Sequence, residues 1–329
     1  MKRFARILLV IVAILVAVIV FGPFLVPVKP LEGLRLPSAL AAEDSQFLSL
    51  PFEGTDGIDI HFRAAGDGEP AFVLLHGFAS SLFTWDQVFD HFAGLGRTFA
   101  YDRPPFGLSE RMTEGDWNGP NPYTPDAAIE QLDALLDTQG FDRAILVGNS
   151  AGGTVALRMA LAHPERVAGL ILVSPAVYSG GGAPPFLRPL LGTPQMRHLG
   201  PLVSRSFLSL GDSLETQAYH DPSVITEQQR ERSRLGLQVE DWDTALWEFT
   251  RASQESDLAS RLSEIDVPVL VVTGDDDRIV PTEQSVQLAG ELPNATLEVI
   301  PACGHVAQEE CEEVFLAAVD RWLAAEGLE

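Results

Sequence analysis

A serine, a histidine and a run of aspartates stand where three side chains could build one proton relay. The stretch "AILVGNSAGG" (residues 144–153) ends a β-type apolar run in Ser150, flanked by Gly148, Ala151, Gly152 and Gly153. A hydroxyl on so sharp a strand-to-helix turn needs small neighbours, because the turn strains the backbone and bulky groups would clash. The same turn lifts the hydroxyl clear and sets it at a helix N-terminus, whose unpaired N–H groups can hold a negative oxygen. A serine hydroxyl is a feeble nucleophile unless a base takes its proton and an acid orients that base. Two later strand-like runs end in the needed types: "VLVVTGDDDRIVP" in Asp275, Asp276 and Asp277, and "VIPACGH" in His305. The chemistry that suits this set is acyl transfer through a covalent serine intermediate. Of seven histidines, His305 alone follows a last strand with glycine before it. His163 reads as a helix C-terminus, His61 as part of an edge strand, and His91, His198 and His220 as surface or cap residues.

These side chains need a scaffold that brings distant strand ends to one rim. Strand-like runs ("FLSLPF", "IDIHFRA", "AFVLLHG", "RTFAYDR", "RAILVGNS", "VAGLILVSPA", "VPVLVVTGDDD", "TLEVIPACGH") alternate with amphipathic segments at 124–139, 151–163, 282–291 and 309–325. That alternation predicts a mostly parallel eight-stranded sheet with helices on both faces. The first two runs, joined by "TDG", predict an antiparallel hairpin at one edge. From about 179 to 256 there is no strand-like run, only "SGGGAPP" and helix-like pieces such as "SVITEQQRERSRLG" and "WDTALWEFTRASQ". A structureless loop of that length does not suit a compact domain, so 179–256 is read as a helical cap inserted after the sixth strand. The core is then 46–178 and 257–329. Trp242, Trp247 and Phe249 are expected to pack against the main domain and not to touch substrate.

The 329 residues carry a net charge of −24 with only two lysines, Lys2 and Lys29. Such a surface repels phosphate backbones and excludes nucleic-acid binding as the function. Cys303 and Cys311 rule out a disulfide framework and a four-cysteine zinc site. The two could pair in an oxidising compartment, but eight positions across a loop–helix junction do not guarantee bridge geometry, so their pairing stays open. Lys2, Arg3 and Arg6 precede an apolar run over 7–28, long enough to span a bilayer. Basic residues before the run keep the N-terminus cytoplasmic and send the domain outward. Residues 1–28 are therefore read as a membrane anchor and the Pro-punctuated 29–45 as a linker. The alternative is a cleaved signal peptide with Ala39-Leu40-Ala41 as its site, which lies far beyond the apolar core.

From about residue 46 onward the chain resembles the α/β-hydrolase superfamily, motif by motif and in order. "LLHGFASSLFTW" resembles the loop after the third strand, "AYDRPPFGLSE" the Asp-Arg-Pro-Gly-Phe-Gly-x-Ser turn with Pro105 where glycine is usual, and "GNSAGG" the nucleophile elbow. "GDDDRIVP" resembles G-x-x-D-x-x-V-P, which selects Asp277 among the three aspartates. The resemblance implies a triad of Ser150, Asp277 and His305. It also implies an oxyanion hole from the backbone N–H groups of Phe78 and Ala151. It gives the Phe78 ring a place on the acyl-pocket wall, His76 a structural hydrogen-bonding role, and Asp102 and Arg103 the bracing of loops. No metal and no organic cofactor is implied.

Within that superfamily Ser150 argues against epoxide hydrolases and haloalkane dehalogenases, which carry aspartate at the elbow. A carboxylic-ester hydrolase acting on a small or medium acyl substrate is the leading expectation. The C–C bond hydrolases of aromatic degradation are the alternative: "GNSAGG" and "CGHVAQEE" resemble their elbow and histidine loop. Val306 and "FASS" depart from their usual tryptophan and Gly-Pro-Gly. A ligand-binding relative without catalysis, and acyl transfer to an acceptor other than water, stay open.

Overall fold

The computed structural model describes residues 2–43, 45–178, 186–208, 211–254 and 256–329. All eight apolar runs are strands: β1 (Gln46–Leu50), β2 (Ile58–Ala65), β3 (Ala71–Leu75), β4 (Arg97–Tyr101), β5 (Ala144–Asn149), β6 (Val167–Val173), β7 (Val269–Gly274) and β8 (Ala295–Ile300). They form one sheet in the order β1-β2-β4-β3-β5-β6-β7-β8. β1 pairs antiparallel with β2, and β2 with β4; every later neighbour is parallel. β3, β5 and β7 are buried along their whole length, as strands covered on both faces must be.

Helix α1 (Lys2–Phe21) precedes the sheet, and α2 (Asp86–Leu95), α3 (Pro125–Gln139) and α4 (Ala151–Ala162) follow β3, β4 and β5. Between β6 and β7 lie α5 (Arg188–Leu191), α6 (Pro194–Leu208), α7 (Gly211–Ala218), α8 (Glu227–Ser233), α9 (Trp242–Arg251) and α10 (Leu258–Arg261). Then α11 (Thr282–Glu291) follows β7, and α12 (Ala307–Glu310) and α13 (Glu312–Glu326) follow β8. Residues of α3, α4 and α11 bury one face of the sheet, and α2, α12 and α13 the other. Local chemistry sets the ends of α3. Thr124 caps it by accepting from Ala127 N–H, Pro125 opens it, and Gly140 closes it at φ 66°, a left-handed position that favours glycine.

The cap is helical as read, although its opening stretch 179–185 lies outside the described residues. Its aromatic residues divide three ways. Phe249 packs on Phe106 and Phe78 as expected. Trp247 lies within the cap, against Gly200, where an added Cβ would come within 2.3 Å of the indole. Trp242 lines the central cavity, contrary to expectation, because α9 begins there and projects its first residue inward.

The stretch Arg3–Leu25 is long and apolar enough to cross a membrane, with mean hydropathy 3.2 and none of its apolar window buried. The segment that follows is no free linker. Val20 near the end of the span, and Val26 and Lys29 after it, accept through their carbonyls from Gln195, His198 and Arg205 of α6. Arg35 bridges to Val239, and Leu40 is buried with Leu108 and Val239. Residues 20–40 thus form a strap along the cap.

Candidate active site

β5 leads straight into the turn at Ser150, whose φ of 52° and ψ of −117° mark a strained, non-glycine backbone. The turn is clamped: Ser150 N–H donates to Val173 O on β6 at 2.9 Å, and Ala176 N–H donates to Ser150 O at 3.1 Å. Its glycines leave no room. A Cβ on Gly152 would lie 2.0 Å from Leu75 O, and one on Gly148 2.6 Å from Gly153 N. Gly152→Ala is accordingly expected to destabilise the fold by at least the ~3 kcal/mol at the upper end of ordinary overpacking, read as a lowered urea midpoint in detergent.

Of the three aspartates at the end of β7, only Asp277 meets the imidazole. Its Oδ2 lies 2.8 Å from His305 Nδ1, while Oδ1 accepts from Ile279 N–H and Val280 N–H at 2.9 Å each. Asp275 instead accepts from Ala302 N–H, and Asp276 pairs with His220 and Arg278. Asp277 and His305 are buried, and His305 and Ser150 line one cavity of about 440 Å³. No hydrogen bond closes between Ser150 Oγ and the imidazole among the described residues; such bonds often tighten only around bound substrate.

Ala151 opens α4, where an N–H has no helical partner. The Gly77–Phe78 loop crosses the elbow so closely that a Cβ on Gly77 would lie 3.3 Å from Ser150 Cβ. The Phe78 ring lines the cavity. The two amides expected to form the oxyanion hole therefore belong to segments adjoining the serine, the Gly77–Phe78 loop and the start of α4.

Polar neighbours hold these loops. His76 accepts from Arg103 N–H at Nε2 (2.9 Å) and donates through Nδ1 to Gly77 O (2.7 Å). Burial, reinforced by the Arg103 charge, lowers its pKa to about 3, so it stays neutral and structural. Asp102 accepts from Leu82 N–H, Leu108 N–H and His61, each at 2.6 Å. Burial alone would raise its pKa, but the His61 hydrogen bond and charge outweigh it and hold the carboxyl below its ordinary value.

His61 corrects the expectation. It sits on the second strand and is wholly buried, with Nε2 2.8 Å from Ser45 Oγ. Strand alternation places it on the same face as exposed Asp59, and Phe83, from the loop after β3, lies against that face. Cys303 and Cys311, whose pairing the sequence left open, form a disulfide with Cα atoms 6.3 Å apart, because the single turn α12 folds the chain back between them.

Arg111, Glu309 and Glu310 also belong to this neighbourhood; the last two end the stretch "CGHVAQEE", but no role was read for any of the three. Buried Arg111 donates to the carbonyls of Phe106, Ser109, Gly107 and, in the cap, Gly236. Glu309 lines the cavity, accepting from Thr84 of the core and from Tyr219 of the cap at 2.8 Å. Burial pushes its pKa up to about 7 from 4.5, only partly opposed by those two hydrogen bonds. A raised folded-state value means that the native state binds this proton more tightly. The contribution to stability is full below about pH 4.5 and is lost as pH rises through about 7. Glu309→Gln is expected to raise the melting temperature at pH 8 and leave it nearly unchanged at pH 4.5, as measured by thermal scans at both pH values.

A parallel sheet with a serine elbow, an Asp–His pair at neighbouring strand ends and a helical insertion after β6 defines an α/β-hydrolase. A family model described as alpha/beta hydrolase fold matches residues 70–311, and the chain belongs to that family. It is 34% identical over 280 residues to a 2-hydroxy-6-oxononadienedioate/2-hydroxy-6-oxononatrienedioate hydrolase of Burkholderia vietnamiensis, covering 82% of this chain and 92% of the relative. In structure it resembles a thermophilic esterase from Thermogutta terrifontis, with TM-score 0.69, 22% identity, and 85% and 99% of the two chains covered. It also resembles a membrane phospholipase A described as a bacterial virulence factor, with TM-score 0.65, 20% identity and all of both chains covered. At those identities the two structures speak for the fold.

Proposed function

We propose that this chain is a serine hydrolase that cleaves carboxylic esters of small or medium acyl groups. Ser150 Oγ attacks the carbonyl carbon while His305 Nε2 takes its proton, and Asp277 holds the resulting imidazolium. The N–H groups of Phe78 and Ala151 receive the negative oxygen. Collapse expels the alcohol, protonated by His305; water, deprotonated by the same imidazole, then releases the acid.

The observation that carries the ester reading is the make-up of the cavity wall. Phe78, Phe106, Leu214, Leu237, Trp242 and Leu246 line it beside Ser150 and His305, and an apolar wall of that kind suits the uncharged acyl chain of an ester.

C–C bond hydrolysis is the second reading, and the names of the curated relatives favour it. A panel of p-nitrophenyl esters of graded acyl length, run beside a 2-hydroxy-6-oxo-dienoate on the full chain in detergent, separates the two. Higher kcat/KM for esters supports the first reading; a higher value for the dienoate than for every ester replaces it with the second.

The apolar N-terminal helix supports placing the enzyme on a membrane with its domain outside the cytoplasm. Removing residues 1–28 is expected to move the chain from the membrane fraction to the soluble one. A mature N-terminus at residue 42 would instead establish a cleaved signal.

A further inference from the structure

We propose that Glu310 is a positioning residue that couples the seating of the cap to the placement of His305. Oε2 of Glu310 accepts from Gly304 N–H of the core at 2.7 Å and from His220 N–H of the cap at 2.9 Å. Oε1 accepts from Asp221 N–H at 2.7 Å. One carboxylate therefore gathers the backbone just before the imidazole and the end of the cap segment that follows α7. That segment also touches the histidine directly, since His305 N–H donates to Ala218 O at 2.7 Å.

The join leaves no slack. A Cβ on Gly304 would lie 2.4 Å from Ala218 O and 2.8 Å from His220 N, so glycine is required before the histidine for the cap to lie flat on the loop. Flanking contacts close the seam: His220 Nδ1 reaches Asp276 Oδ2 at 2.9 Å, and Tyr219 OH donates to Glu309 at 2.8 Å. The cap is thus built into the support of the relay base and is more than a cover over the cavity. With the carboxylate gone, three N–H groups lose their shared acceptor, and the loop bearing His305, still closed by the Cys303–Cys311 bridge, can shift against the cap. Misplacement of a reacting group by about 1 Å costs on the order of 10²-fold in rate.

The inference rests on the reading of His305 as the relay base. The test compares E310A, E310D, G304A and H305A in the full-length protein in detergent. Fluorophosphonate labelling of Ser150 needs only an activated serine, and p-nitrophenyl butyrate turnover gives kcat and KM. E310A is expected to lower kcat and the labelling rate by on the order of 10²-fold with KM nearly unchanged. E310D should restore most of the loss, and G304A, which lifts the cap by backbone overlap, should match E310A. Labelling of E310A at the wild-type rate overturns the proposal, as does an E310D variant as slow as E310A, which marks mere packing. If E310A fails to fold, E310Q, with one acceptor oxygen for three N–H groups, is read in its place by the same criteria. Labelling of H305A at the wild-type rate would instead show that the relay reading itself had failed.

Discussion

Ser150→Ala is expected to cut ester turnover by on the order of 10⁶-fold, leaving only what the amide donors and substrate binding supply. The loss should be chemical and not structural. The backbone N–H and C=O of residue 150 carry the hydrogen bonds that pin the elbow, and alanine keeps both. The turn stays as strained at φ 52° with either side chain, so the melting temperature should change little. What disappears is the hydroxyl oxygen proposed to bond to the acyl carbon. Burst kinetics with p-nitrophenyl butyrate and mass spectrometry after fluorophosphonate treatment check both halves. A variant that still turns over at a tenth of the wild-type rate or more would exclude the acyl-enzyme route.

Asp277→Asn is expected to cost on the order of 10⁴-fold in kcat while sparing the fold. The reason lies in which atoms are already engaged. Oδ1 serves Ile279 and Val280 N–H, so an asparagine must keep its carbonyl oxygen there. Its amide NH₂ then faces His305 Nδ1, where Oδ2 sat at 2.8 Å. Two donors cannot share that bond, so the imidazole proton moves to Nε2, the nitrogen that must accept from Ser150. A folded protein with the catalysis of a wrong tautomer is the expected result. Near-wild-type kcat would remove Asp277 from the relay.

The scaffold and the candidate site were legible for different reasons. Strands such as "AILVGN" announce themselves because a strand buried on both faces must be continuously apolar. Ser150 could be read from its neighbours because the turn tolerates only small ones. Asp277 could not be told from Asp275 and Asp276 by type; the choice came from a family motif, and the hydrogen bond to His305 is the physical basis for it. Contacts between distant segments stayed out of reach. His61 stands on a nominally polar strand face that another loop covers, and the Cys303–Cys311 bridge depends on a one-turn helix folding back. Glu310 gathers its donors from two segments more than eighty positions apart. Local periodicity carries no trace of such meetings.

The strap along residues 20–40 has a mechanical corollary. With the apolar helix seated in a bilayer, the catalytic body does not swing on a leash, because α6 grips the chain at Val20, Val26 and Lys29 and Ser45 is held at His61. In that setting these contacts would tie the mouth of the cavity to the membrane-seated helix. Cutting the chain after Ala41 would do more than release it. The freed body would leave behind the footing on which its cap rests.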